Sequence, residues 1–114
     1  MPNDEPIQLQ YVDKAIAHMM DWAQASDIHL HKIESIIPFV ATDKSLEIWL
    51  FFSTDEVKKR YEQDGKTQLV KKTFLQTLQE LNYPADYLSQ VTFIIDSHEN
   101  VVENYEGSYF YRLR

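Results

Sequence analysis

The stretch Leu46-Glu47-Ile48-Trp49-Leu50-Phe51-Phe52 constrains this chain more than any other. Alternate residues of a strand point to opposite faces. Leu46, Ile48, Leu50 and Phe52 therefore share one face, and Glu47, Trp49 and Phe51 share the other. Large apolar groups on both sides predict a central strand whose two faces are both covered. A lone hairpin does not provide that, so helices or further strands must pack on each side.

The neighbouring segments supply candidates. Ile33 to Ala41 is apolar and β-branched, and it reads as a strand that Pro38 confines to an edge or a bulge. Thr42 to Ser45 reads as a turn, so the two strands are expected to form a hairpin. Before them, Ile7 to Ala25 carries Val12, Ile16, Met19, Met20 and Ala23 on one helical face. After them, Ser53 and Glu56 form a capping-box pattern, with Thr54 as a competing N-cap, for a helix to about Gln63 that Asp64-Gly65 ends. A second helix starts near Thr67 and bears the stripe Val70, Phe74, Leu78 and Leu81. It stops at Asn82-Tyr83-Pro84, and Ala85 to Leu88 follows as a short turn.

Val91 to Asp96 is a third strand. A short helix is then expected from a cap at Ser97 (with Asn100) or Asp96 (with Glu99) through about Tyr105, ended by Glu106-Gly107. Ser108 to Leu113 alternates and reads as a last strand. The resulting order is α-β-β-α-α-β-(α)-β. Its grouped elements predict a single α+β domain over 1–114, with a mixed or antiparallel sheet of about four strands and three main helices. Residues 1–6 are expected to be flexible.

The chain has 114 residues, which is long enough to bury a core without disulfides or a structural metal. It contains no cysteine, which excludes thiol catalysis and zinc knuckles and fits a reducing compartment. No apolar run suits a membrane span, so a cytoplasmic protein is expected. Its formal net charge of −7 disfavours direct nucleic-acid binding and permits a basic partner.

Three constellations offer chemistry. His29 and His31 lie two apart, so in an extended segment both imidazoles share a face and could reach one metal. His98 beside Glu99 could do acid–base work, although adjacent helical residues diverge by about 100°. Neither makes a catalytic or metal assignment, and no cofactor is implied. The third is Asp96, Glu99, Glu103 and Glu106, spaced as one helical stripe with no lysine or arginine between them. Like charges at that spacing cost a few tenths of a kcal/mol per pair (~0.2–0.5) unless they serve something. Tyr105, Tyr109 and Tyr111 flank the stripe, while Val101, Val102 and Tyr105 form a different face that could pack on the sheet. Acids steer a basic partner and tyrosines add contact area, so these seven residues are the candidate partner-binding surface.

The segment DSHENVVENYEGSYFYRLR, Asp96 to Arg114, together with the acidic, cysteine-free character of the chain, resembles the small bacterial immunity proteins of contact-dependent growth inhibition systems. That resemblance implies a protein that binds and neutralises a cognate basic toxin such as a nuclease in the cytoplasm; the leading expectation is a non-enzymatic binding protein, with a monomer favoured. Two alternatives belong to other classes. One is a small metal-dependent or acid–base enzyme using His29 and His31, or His98 and Glu99. The other is a homo-oligomeric structural module pairing through the Pro38 segment or the C-terminal strand.

Overall fold

The computed structural model describes residues 6–114. The expected flexible segment, 1–6, lies outside them except for Pro6. Helix α1 (Leu9–Ala25) leads into β1 (Leu30–Ile36) and β2 (Leu46–Phe52). Helices α2 (Asp55–Asp64), α3 (Lys66–Glu80) and α4 (Ala85–Leu88) then carry the chain to β3 (Val91–Ser97). Helices α5 (His98–Asn104) and α6 (Tyr109–Leu113) follow. The strands form one sheet in the order β1-β2-β3. β1 runs antiparallel to β2, and β3 runs parallel to it. The fold is thus one α+β domain with a mixed sheet, and the long crossover through α2, α3 and α4 makes the parallel pair possible.

The two-sided β2 sits at the centre, as its alternation requires. Leu46, Ile48, Leu50 and Phe52 enter the main core with Val12, Met19, Val70, Phe74 and Leu78 from α1 and α3. Trp49 and Phe51 enter a second, smaller core with Val101, against which Ile94, Tyr105, Tyr109 and Leu113 pack. The C-terminal segment is therefore the cover of the sheet's second face.

Local signals explain most element ends. The Thr54 hydroxyl, rather than Ser53, caps α2 by accepting from Val57 N at 3.1 Å. Gly65, at φ +88°, ends α2 in the left-handed region that glycine adopts without strain. Ser97 caps α5 by accepting from Asn100 N at 3.0 Å.

Two expectations are corrected. The first strand ends at Ile36, so Pro38 lies in the connection to β2 and not in the sheet. Pro38 has no N–H for a ladder, and the β1–β2 loop begins before it. The sheet has three strands, not four, because Ser108 to Leu113 is not a strand. Ser108 caps α6, its hydroxyl accepting from Tyr111 N at 3.2 Å. Tyr109 and Leu113 lie one helical turn apart and both pack into the second core.

Candidate functional site

The structure divides the expected acidic stripe. α5 covers only His98–Asn104, so Asp96 and Glu106 lie outside the helix and the four carboxylates do not share a helical face. Asp96 belongs to β3 opposite Phe51 and is 6% exposed. It accepts from Ser97 N at 2.8 Å and from Asn100 Nδ2 at 3.0 and 3.1 Å. Arg112 Nε completes the set, and the guanidinium also lies over Trp49 and Tyr105, 4.7 and 5.2 Å from their ring centres. Asp96 is thus the anchor that ties α6 to the sheet.

Glu99 has a different task. Its Oε1 accepts from Asp55 N at 3.0 Å, so the carboxylate caps the N-terminus of α2 from a neighbouring element. Glu103 and Glu106 remain exposed. Glu106 takes φ +55° in the turn that ends α5, and Gly107 follows at +74°.

The tyrosines divide too. Tyr109 turns inward, edge-on to Phe51 with ring centres 4.7 Å apart. Tyr105 is half-buried against the second core. Phe110 and Tyr111 point outward, at 70% and 52% exposure, and Val102 on α5 is 51% exposed. Helical geometry places Phe110 outside and Tyr109 inside, where alternation would have paired Tyr109 with Tyr111. The same geometry puts Val102 outside, although Val101 and Tyr105 do cover the sheet.

Sequence spacing did not reveal one further cluster. β1 slips register between Leu30 and Lys32, leaving His31 and Lys32 together on the strand near Phe51. His31 stacks on His98 with ring centres 3.7 Å apart and planes 16° from parallel. His98 Nδ1 lies 2.7 Å from the Tyr109 hydroxyl, which donates when that nitrogen is bare and accepts when it carries hydrogen. Lys32 Nζ sits 4.4 Å from the Tyr109 ring centre and pairs with Glu34 at 2.9 Å. Burial lowers the pKa of His31, with His98 and Lys32 adding to the shift. Burial likewise raises that of Tyr109, helped by Glu34 and Asp96. His31 sits at the bulge where it meets residue 98, and no local pattern in the sequence marks that bulge.

His29 and His31 line an open cleft of 390 Å³ with Asp21, Gln24 and Ser53. Among the described residues, no three His, Cys, Asp or Glu side chains are placed to hold one ion. The stacked pair is itself unsuited to chelation. Nitrogen lone pairs lie in the ring planes, and two nearly parallel planes do not meet at an ion ~2.0–2.1 Å from both nitrogens. His98 and Glu99 point to different partners and form no acid–base pair.

Among the described residues, no helix is long and apolar enough to cross a membrane. No family model, curated protein or solved structure matches the chain.

Proposed function

We propose that this chain is a non-enzymatic binding protein that captures a basic protein partner on the outer surface of α5–α6. A bacterial immunity protein that neutralises a toxin is the concrete form of this reading. One observation carries it. Val102, Phe110 and Tyr111 are large apolar side chains left exposed on the same short segment as the exposed acids Glu103 and Glu106. Exposed apolar groups beside exposed acids suit a partner with a basic rim around an apolar contact, and one cation, Arg114, lies within the patch over the Phe110 ring, 5.4 Å from its centre. The net charge of −7 favours encounter with such a partner and makes the association rate fall with salt. A toxin whose cationic cleft binds phosphates would present that surface.

The test separates binding from folding. Glu103→Lys with Glu106→Lys reverses the free carboxylates and leaves Asp96 and Glu99 in their structural roles. The variant should keep the wild-type unfolding midpoint and lose the partner at low salt. Equal capture of the same basic partner by both proteins would refute the reading.

A second reading, an acid–base enzyme, is favoured by the cleft that His29, His31 and Ser53 line together. It predicts turnover that disappears in His31→Phe while Glu103→Lys has no effect. Activity surviving His31→Phe would remove it.

A further inference from the structure

The two contacts from the β1 bulge to the C-terminal segment are both made by cationic or titratable groups: His31 on His98, and Lys32 over Tyr109. Charged groups from every neighbouring element lie around them, Asp55 of α2, on the Ser97 hydroxyl, included. β1 contributes Lys32 and Glu34, which pair with each other. β3 contributes Asp96 and α6 contributes Arg112, which also pair. Glu99 of α5 is turned to the start of α2. Across the cleft, α1 presents Asp21 beside His29 and His31. None of the four ion pairs among the described residues includes a histidine. A proton added to either imidazole therefore finds no ion-pair partner already in place, and protons on both rings place like charges face to face.

We propose that the His31–His98 stack is an acid-operated latch. When neutral, it holds α5–α6 against the second face of the sheet; when protonated, it releases that segment. The neutral rings stack, and Tyr109, bonded to His98, keeps its edge-on contact with Phe51. Once both rings carry a proton they repel each other, while Lys32 stays paired with Glu34 beside Tyr109. Partial burial, with His98 and Lys32, keeps the solvent-accessible His31 below its ordinary value of 6.5, so the His31 half of the latch is closed at neutral pH. It opens as the pH falls through and below that value. Tyr109 stays protonated throughout, because its pKa is raised above 10.0. The latch is a property of the free chain and holds whether or not α5–α6 docks a partner.

Nuclear Overhauser contacts of the isotopically labelled full chain, followed from about pH 7.5 to about pH 5, test it. The expected result is loss of the His31–His98 and Tyr109–Phe51 contacts while Phe74–Phe93, between α3 and β3, persists. His31→Phe keeps a ring in the stack without a proton site, and its Tyr109–Phe51 contact should survive the acid. If that variant lacks the Phe74–Phe93 contact at neutral pH, His98→Phe takes its place in the same experiment. Persistence of Tyr109–Phe51 in the acidified wild type would overturn the latch. So would its loss in the His31→Phe chain, where no second ring can be protonated against His98, or joint loss of Phe74–Phe93.

Discussion

Replacing Asp96 with alanine should unfasten the C-terminal cover. The Asp96 side chain is 8% exposed and that of Arg112 is 23% exposed, so the pair is largely shielded from water. Breaking a fully buried pair by removing one partner costs about 3–5 kcal/mol, because the remaining charge is stranded. Arg112 has partial access to water and can turn outward, which reduces the loss to about 2–3 kcal/mol. Asn100 can turn to water, but the fully buried Ser97 N–H loses this acceptor, which places the cost toward the upper end of that range. For a chain of this size, each kcal/mol lowers the unfolding midpoint by about 4 °C, giving a fall of about 8–12 °C in thermal circular dichroism. Asp96→Asn keeps an acceptor and loses the charge, so about 1–1.5 kcal/mol is expected. Arg112→Ala should be strongly non-additive with Asp96→Ala, with a coupling of at least about 1 kcal/mol. An Asp96→Ala midpoint within ~2 °C of wild type, or strict additivity with Arg112→Ala, would refute the anchoring argument.

Other residues give sharper signs than magnitudes. Phe51→Ala opens the second core and should cost about 3–5 kcal/mol in urea unfolding; a loss below ~1 kcal/mol would mean that α5–α6 is not its cover. Gly65→Ala meets no atom within 4 Å, so only its φ of +88° counts, and about 1 kcal/mol is expected. The Tyr83 hydroxyl is buried without a hydrogen-bond partner among the described residues, so Tyr83→Phe should be neutral or stabilising. Burial and Tyr87 push the Tyr83 phenol up to about 12 from an ordinary 10.0. The proton is held more tightly in the folded state, so this contribution is complete below pH 10.0 and is lost as pH rises toward 12; a Tyr83→Phe chain should lack that alkaline loss. For His31 the sign is opposite: stability is complete above 6.5 and declines as pH falls below it, a decline His31→Phe should abolish in urea titrations.

The parts of the fold set by periodicity were legible. The stripes of α1 and α3 are long enough to specify one face each, and Val12, Met19, Val70, Phe74 and Leu78 are all buried. The double-sided β2 could only be central. Strand limits were less legible, because Phe39 and Val40 look like strand residues yet stand exposed in a loop, Phe39 at 102%. The C-terminal segment was misread because Tyr109, Phe110 and Tyr111 are all aromatic, so they fit a period of two as well as a helix. The helical signal was present in the Ser108 cap and in Tyr109, Arg112 and Leu113, spaced i, i+3 and i+4.

The candidate site was legible only in part. Glu103, Glu106 and Tyr111 are exposed, as the proposed docking surface requires. Asp96 and Glu99 belong to the fold, since a carboxylate in sequence carries no mark of the guanidinium or helix end it will meet. The pairing of His31 with His98 depends on a bulge and on the return of the chain across the sheet, both tertiary facts. Val102 and Phe110, exposed beside Glu103, Glu106 and Tyr111, belong to the proposed surface and become recognisable once α5 and α6 are drawn as helices.

Parallel capture from lysate of the native host, at low salt, tests the central claim most directly. The baits are the wild-type chain and a chain carrying Glu103→Lys, Glu106→Lys and Phe110→Ala, matched for circular dichroism. The account predicts one basic protein retained by the wild type, released by salt and absent from the variant, whose catalytic or growth-arresting activity the wild-type chain suppresses. Identical protein sets on both baits would contradict it.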